Sequence, residues 1–249
     1  MRIAGLLGWT AAIGAVTAAV GYWTMMSPYS QLLGAFPYRA DTTDKEIALT
    51  FDDGPNEPYT SQIADILARA GIKATFFQVG ECVDRYPYVT ARLARDGHII
   101  GDHSHSHRFT RCLTARSQRS QTRAAQQSLT RVIGRTPALY RPLWLLRTPT
   151  LPAVLRRYGL SPVSGEFCHA FEVFQPSPRR IASRALAKAR PGAILIFHDG
   201  FDAHGGNRAN TVEAVRIVIT ELTRRGYAFA AIDELLGVPA YRPAQFSSR

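Results

Sequence analysis

Two adjacent acids, Asp52 and Asp53, end an apolar run and are followed at once by Gly54-Pro55. An apolar run that stops at a Gly-Pro pair is typical of a β-strand that ends in a turn. Successive side chains of an extended chain point to opposite sides, so the two acids cannot perform the same task. One carboxylate is free to bind a metal ion while the other accepts a proton. The alternative is a plain β-turn in which an aspartate caps its own backbone.

Four of the seven histidines lie between His98 and His107, about fifty residues after the two acids. His103 and His107 are four residues apart, a spacing that brings two side chains together in a helical turn or a compact loop. Two imidazoles and one carboxylate form a metal site of the open, hydrolytic kind, with a coordination position left for water. A histidine-rich loop of weak metal affinity is the alternative for the histidines alone. We expect His105 to point away from the site and His98 to be a strand-edge histidine.

From Lys45 onward, short apolar runs alternate with longer stretches of mixed polarity. Strands that alternate with helices predict an α/β fold with a parallel sheet or barrel. Seven strands fit a closed or nearly closed barrel, and a doubly wound open sheet is the alternative. In barrels of this kind the active residues lie at the carboxyl ends of strands, where Asp52-Asp53, Arg141 and His198 fall. The predicted strands are Glu46–Phe51, Ala74–Val79, His98–Gly101, Ala138–Arg141, Leu160–Ser164, Ala193–His198 and Tyr227–Ile232.

The composition describes a basic globular protein. Its 46% hydrophobic and 20% charged residues exclude a disordered chain, and 249 residues can bury one sizeable core. A formal net charge of +11 favours anionic partners such as nucleic acid, acidic lipid or envelope polymers. Almost all of the cations are arginines, and no nucleic-acid motif is present, so we expect no nucleic-acid partner.

Three segments carry a specific family resemblance. Thr50-Phe51-Asp52-Asp53-Gly54-Pro55 resembles the first motif of the NodB-type polysaccharide deacetylases, which are carbohydrate esterase family 4. His103-Ser104-His105-Ser106-His107 resembles the second motif, and Ile196-Phe197-His198 resembles the motif that carries the catalytic acid. The motifs occur in the family's order, and the resemblance extends from about Lys45 to Leu236. It implies a distorted (β/α) barrel of the NodB type with about seven parallel strands.

The resemblance implies a metal-dependent hydrolase that removes N-acetyl groups from an amino-sugar polymer or oligomer, such as peptidoglycan or a chitin-like chain. Asp53, His103 and His107 would hold a divalent metal ion. These ligand types favour zinc, with cobalt as an alternative. The expected partner is therefore a carbohydrate polymer or an oligosaccharide.

The resemblance also implies the roles of the remaining site residues. Asp52 would be the general base, and Arg141 would orient that base through the planar guanidinium. His198 would protonate the departing sugar amine, a task that suits a group whose pKa lies near neutrality. A backbone N–H near Trp144 would help to stabilise the oxyanion.

Two stretches depart from the family's pattern. Where the family usually continues Arg-Pro-Pro with Tyr and Gly, this chain has Leu143-Trp144-Leu145 after Arg141-Pro142, so Trp144 is a candidate for the wall of the substrate groove. The acid that would tune His198 is not evident from the sequence. The candidates for that acid or its substitute are Glu166, His169, Asp199 and Asp202.

Asp202 and His204 follow His198 closely in the chain. They are candidates for substrate recognition, and the alternative is that they cap the loop before the last long helix.

The N-terminal stretch Ile3–Met26 contains no charged residue. It exceeds the roughly 20 residues needed to cross a bilayer, and also the usual core of a signal peptide, about 7 to 15 residues. We therefore expect a transmembrane signal anchor, with a cleaved signal peptide as the alternative. The predicted organisation is residues 1–26 as the anchor or signal, 27–44 as a tether, 45–238 as the catalytic domain and 239–249 as a loose tail.

This organisation, together with the family resemblance, predicts a single-pass protein of the cell membrane whose catalytic domain lies outside the cytoplasm. The protein would be secreted if the N-terminal segment were cleaved.

Two other functions remain open at this point. An O-acetyl esterase on a sugar polymer would use the same site without protonating an amine. A cell-wall binding module whose altered motifs have ended catalysis is the alternative without enzymatic activity. The presence of Asp52, Asp53, His103, His107 and His198 together argues for an enzyme.

Overall fold

The computed structural model describes Gly14 and residues 16–243. Within these residues, eight parallel strands alternate with helices in one sheet. The strands are β1 Glu46–Asp52, β2 Thr75–Gln78, β3 Ile99–Asp102, β4 Leu139–Tyr140, β5 Ser161–Pro162, β6 Glu166–Phe167, β7 Ile194–His198 and β8 Ala228–Phe229. The helices are α1 over residues 16–26, α2 Tyr59–Ala70, α3 Gly80–Arg85, α4 Pro87–Arg95, α5 Ala115–Ile133, α6 Leu151–Arg157, α7 Pro178–Lys188, α8 Ala209–Arg224 and α9 Ile232–Leu236.

The strand order identifies the sheet as an incomplete barrel. The order is β5-β4-β3-β2-β1-β7-β6, and β8 pairs with the first two residues of β1. The first strand therefore lies beside the last ones, as in a barrel, whereas a doubly wound sheet would reverse its order at a switch point. No pairing joins β5 to β6 within the described residues, so the barrel is open there. The predicted fold of about seven parallel strands is confirmed in this half-barrel form.

Both faces of β1 are buried, and its alternation assigns each side chain to a layer. Leu49 and Phe51 face outward and pack in the larger core under the helices. Ala48 packs in a second cluster inside the barrel, which places Thr50 and Asp52 on the interior side as well. The strand period thus aims the first of the two acids into the barrel mouth.

Several strand predictions differ from the structure. The two-residue strand β6 was not among the predicted strands, because a Glu-Phe pair carries no alternation that could reveal it. The predicted strand Tyr227–Ile232 is wrong at its end, since Ile232 begins helix α9. Asp233 and Glu234 occupy the first turn of that helix, where acidic side chains favour a helix N-terminus.

The segment before the barrel packs against it. Phe36 is fully buried, and the Ala40 N–H donates to the Gly192 carbonyl at 2.8 Å. Half of the predicted membrane span Ile3–Met26 lies outside the described residues. Among the residues that the structure describes, no helix is both long enough and apolar enough to cross a membrane.

The described part of the predicted tail is not loose. Tyr241 forms an antiparallel bridge with Pro137, and its hydroxyl accepts the Ile100 N–H at 3.1 Å. The Arg242 N–H donates to the Thr136 carbonyl at 2.9 Å. Residues 239–243 therefore close the base of the barrel, and 244–249 lie outside the described residues.

Close approach of β2 and β3 requires a glycine at position 101. A Cβ added at Gly101 would lie 2.5 Å from the Phe77 ring, which packs inside the barrel. We expect Gly101→Ala to lower the free energy of unfolding by about 1–3 kcal/mol, because the buried ring has to move. Gly21→Ala is the matched control, since its Cβ meets nothing within 4 Å. Urea denaturation measures both, and an equal effect of the two substitutions would contradict this packing.

Candidate active site

The predicted site residues converge because the carboxyl ends of neighbouring strands are in register. Asp52 pairs with His198 of β7, and on its other side with Phe77 of β2. Asp102, the last residue of β3, accepts the Arg141 N–H at 3.0 Å. One edge of the sheet therefore carries all of the predicted positions, as the sequence predicts: Asp53, His103, Arg141 and His198.

Asp52 forms a buried ion pair with Arg141. The Arg141 guanidinium donates from Nη1 to Asp52 Oδ1 and to Thr50 Oγ1, both at 2.7 Å, and from Nη2 to the Ser164 carbonyl at 3.0 Å. It also lies over the Phe77 ring, 4.1 Å from the centroid. Burial lowers the pKa of Arg141, and the Asp52 charge and hydrogen bond oppose that effect. The guanidinium fixes the Asp52 carboxylate inside the barrel mouth.

Asp53 faces the two predicted histidine ligands. Its Oδ1 lies 2.9 Å from His107 Nε2 and 3.3 Å from His103 Nε2, and all three side chains are buried. The three ligand atoms lie within 4.8 Å of one another, a grouping that could hold a metal ion. The two neighbouring acids thus have different partners, as predicted, but the reason is not strand alternation, since β1 ends at Asp52 and Asp53 has a left-handed backbone.

The second nitrogen of each histidine faces an oxygen atom. His103 Nδ1 donates to the Arg141 carbonyl at 2.9 Å, and His107 Nδ1 lies 2.9 Å from Asp202 Oδ1. Such contacts orient an imidazole and leave Nε2 for a metal ion. The structure therefore places Asp202 behind His107 and also in the lining of the groove, so its candidacy for substrate recognition stays a prediction.

The electrostatics of this group keep Asp53 ionised. Burial acts to raise the pKa of Asp53, but the His107 charge and the hydrogen bonds from both imidazoles hold it well below its usual range. Burial likewise acts to lower the pKa of His107, while Asp53 and Asp202 raise it to about 10. Without a cation, Asp53 and His107 thus form an ion pair, and a metal ion that binds Asp53 would displace the His107 proton.

Four of the site residues adopt left-handed backbone conformations. Asp53, His107, Trp144 and Asp202 have φ between 45° and 75°, a region that non-glycine residues rarely occupy. Such strain persists where the surrounding structure enforces it, and it clusters at functional sites. At Asp53, the left-handed backbone ends the strand conformation of β1 and directs the side chain toward the two histidines.

His198 is held by an acid that the sequence interpretation missed. Glu172, in the 3₁₀ turn Glu172–Phe174, approaches His198 Nδ1 with Oε2 at 3.1 Å and accepts the His198 backbone N–H on Oε1 at 3.1 Å. Thr211 Oγ1 donates to the same carboxylate at 2.8 Å. Burial alone would lower the pKa of His198, but the Glu172 hydrogen bond and charge raise it to about 9. None of the four acids or substitutes considered from the sequence takes this position.

A groove of about 480 Å³ opens above these residues. Asp52, His107 and His198 line its floor, and Trp144 forms part of its wall, as expected. The Trp144 indole packs edge-on against the His107 ring at 4.7 Å. His204 is exposed and does not line the groove.

The two other histidines of the cluster are structural, as expected. His98 is buried, and its Nδ1 accepts the Ala74 N–H at 3.2 Å. His105 points away from Asp53 and packs against Gly80, where an added Cβ would lie 2.2 Å from its Nδ1.

Comparison with known proteins identifies similar sequences and folds. Residues 39–163 match the family model described as polysaccharide deacetylase. A peptidoglycan-N-acetylglucosamine deacetylase of Bacillus cereus is 28% identical over 82% of this chain and 93% of its own length. A chitooligosaccharide deacetylase of Azorhizobium caulinodans is 31% identical over 76% of this chain and 94% of its own length. A crystal structure of a peptidoglycan N-acetylglucosamine deacetylase has a TM-score of 0.76 and 26% identity, with 84% of this chain and 95% of that one covered.

The Glu172–His198 contact predicts a specific pH dependence. If His198 is the catalytic acid that the family resemblance implies, it must be protonated to act, so kcat/KM falls as the pH rises through its pKa of about 9. Glu172→Gln removes the charge that raises this pKa, whereas burial still lowers it. We expect the alkaline limb of kcat/KM to move down by about two pH units or more.

The control is Glu166→Gln, a buried acid whose hydrogen bonds go to Arg190 and Tyr29 and not to His198. The pH profile of kcat/KM measures both variants. An alkaline limb that stays in place in Glu172→Gln would show that Glu172 does not set the protonation of His198.

Proposed function

The chain belongs to the polysaccharide deacetylase family, and on this premise we propose that it is a metal-dependent hydrolase of N-acetyl groups on an amino-sugar polymer or oligomer. Peptidoglycan and chitin-like chains are the proposed substrate class, because the two relatives described above are named as deacetylases of peptidoglycan and of chitooligosaccharides. The observation that carries the proposal is the division of the two adjacent acids. Asp53 faces two imidazoles, and Asp52 faces the guanidinium of Arg141.

The residues present fit a divalent metal ion. One carboxylate and two imidazoles are the usual protein ligands of a hydrolytic zinc site, and their outer partners are in place. We propose zinc, with cobalt as an alternative, held by Asp53, His103 and His107. When bound, such an ion lowers the pKa of a water molecule and polarises the acetyl carbonyl.

Asp52 is the proposed general base. Its Oδ1 is held by Arg141, which leaves the other carboxylate oxygen to take the proton of the attacking water. Because Arg141 is buried and uses three oxygen acceptors at once, the carboxylate cannot rotate toward the histidines. The base therefore stays separate from the metal ligands.

His198 is the proposed general acid. Glu172 occupies its Nδ1, so Nε2 is the nitrogen left for the groove that His198 lines. The raised pKa keeps the imidazole protonated near neutral pH until the sugar amine departs. The ring also stacks on Phe167, with centroids 5.9 Å apart and planes 6° from parallel, which fixes its orientation.

The Trp144 backbone is the proposed oxyanion donor. The following N–H, of Leu145, donates to the Pro142 carbonyl at 3.0 Å, so the turn of Leu143–Leu145 is fixed by its own hydrogen bonds. Trp144 itself has φ 50° and lines the groove. A preorganised N–H of this kind stabilises the charge that develops on the acetyl oxygen.

We also propose that residues 1–26 anchor the protein in the cell membrane and that the catalytic domain lies outside the cytoplasm. The support is the uncharged stretch Ile3–Met26 and the nature of the substrate class. Cleavage of the segment would release the domain.

Acetate release tests the proposed reaction. The full chain, purified and loaded with zinc or cobalt, should release acetate and an equal amount of free amine from N-acetylglucosamine oligomers or peptidoglycan. A chelator should abolish the release, and added metal should restore it, because the water needs the ion for activation.

Two results would contradict this reaction. Acetate release from O-acetylated sugars alone, with none from N-acetyl substrates, would identify an esterase. A chain that binds metal under reconstitution and releases acetate from neither class would contradict a hydrolase, and bound glycan would then favour a binding module.

A further inference from the structure

The end of helix α1 is part of the catalytic groove. Tyr22 and Met26 line the groove together with Pro28, opposite the strand ends that carry Asp52 and His198. The chain segment that precedes the barrel therefore forms one wall of the site.

A buried arginine holds this wall in place. Arg147 is fully buried, and its guanidinium donates to the carbonyls of Ser27 and Pro28 and to Ser164 Oγ. Its backbone N–H donates to the Met25 carbonyl at 2.8 Å. Ser164 is also the residue whose carbonyl accepts from Arg141. Because one buried network joins the helix end to Arg141, α1 has a fixed position relative to the catalytic groove.

Exposed aromatic side chains surround the mouth of this groove. Phe171 and Phe174 are 63% and 79% exposed and contact each other. They flank Ala170 and Val173, which line the groove. Large exposed apolar patches on a soluble surface mark interaction sites. We define the aromatic rim as Tyr22, Trp23, Phe109, Phe171, Phe174 and Phe201, all of which are exposed.

Three of the remaining members line the groove or contact its wall. Tyr22 and Phe201 line the groove, and Trp23 follows Tyr22 on α1. The Phe109 ring contacts Trp144, with centroids 5.7 Å apart. Every member of the rim except Trp23 therefore lines the groove, contacts its wall or flanks a residue that lines it.

Basic side chains stand beside the rim. Arg108 and Arg111 flank Phe109 and are exposed, and no salt bridge within the described residues includes either of them. Cations next to exposed aromatics suit the headgroup region of an anionic bilayer, which attracts Lys and Arg side chains near its surface.

The position of the uncharged N-terminal stretch favours a bilayer over a glycan as the partner of the rim. The stretch Ile3–Met26 ends at the groove itself. Tyr22 and Met26 are four residues apart on α1, which is about 6 Å along the helix axis. Aliphatic Val16 and Val20 of the same helix are also exposed, and they offer a sugar ring no stacking face. A membrane that surrounds the start of α1 would therefore lie within about one or two helical turns of the catalytic groove.

We propose that the aromatic rim docks on an anionic lipid bilayer, so that the groove opens at the membrane surface. The rim inserts among the headgroups, and Arg108 and Arg111 contact the anionic lipids. Membrane docking would then assign the substrate to N-acetylated amino sugars carried at the membrane surface, such as lipid-linked ones. This assignment rests on the proposed deacetylase function.

Fluorescence quenching locates the rim without relying on activity. The full chain is reconstituted in vesicles of phosphatidylcholine and phosphatidylglycerol, with or without bromine on the acyl chains. Phe171→Trp places an indole on the rim. Tyr227→Trp is the control, because Tyr227 precedes β8 and lies at the opposite, amino end of the barrel. Both variants keep the same three native tryptophans as background.

We expect brominated lipid to quench most of the fluorescence that Phe171→Trp adds and to leave that of Tyr227→Trp unchanged. Equal quenching of the two variants, or none in either, would overturn the docking proposal. Quenching of Phe171→Trp in a chain that releases no acetate would refute the proposed deacetylase but retain the docking.

A second variant distinguishes the bilayer from a glycan. Phe171→Ser with Phe174→Ser should lower deacetylation of a vesicle-borne N-acetylglucosamine lipid about tenfold or more, since the rim supplies the apolar contact area. The KM for a soluble N-acetylglucosamine oligomer should stay the same. A raised KM for the soluble oligomer with an unchanged rate on vesicles would identify the rim as a glycan platform and overturn the proposal.

Discussion

The buried ion pair between Arg141 and Asp52 is the interaction on which the rest of the site depends. Removing one member of such a pair leaves an unpaired buried charge, which costs about 3–5 kcal/mol. Arg141 donates to Asp52 and Thr50 of β1 and to the Ser164 carbonyl, and it lies over the Phe77 ring, so one side chain ties β1 to its neighbours beneath the groove. The same pair keeps Asp52 apart from the histidines, which leaves Asp53 as their carboxylate partner.

The two titrating groups of the site are tuned in opposite directions by their neighbours. The imidazoles hold the pKa of Asp53 below its usual range, so a carboxylate is available for a cation. Glu172 raises the pKa of His198 to about 9, so His198 holds a proton at neutral pH, as its proposed role requires. Nearby charges of opposite sign outweigh burial in both cases. A hydrolase needs both an anionic cation site and a protonated acid at the same pH.

The sequence predicted the parts of the site that lie on strand ends or in short motifs. Asp52, Asp53, His103 and His107 are grouped by local spacing, and strand register then brings Arg141 and His198 to them. Glu172 escaped prediction because it reaches His198 from a short 3₁₀ turn 26 residues away, and only the folded path places it there. The contacts of Arg147 with residues 25–28 could not be predicted either. A buried arginine that donates to backbone carbonyls leaves no periodic pattern in the sequence.

The most direct measurement compares Asp52→Asn with Asp53→Asn in metal content and in acetate release. Asparagine keeps the shape of each side chain, so only the charge and the proton acceptor are lost. We predict that Asp52→Asn keeps the metal stoichiometry of the wild type and loses a factor of about 10²–10⁴ in turnover, whereas Asp53→Asn loses both metal and activity. Metal loss in Asp52→Asn, or full metal content and turnover in Asp53→Asn, would contradict the division of the two acids.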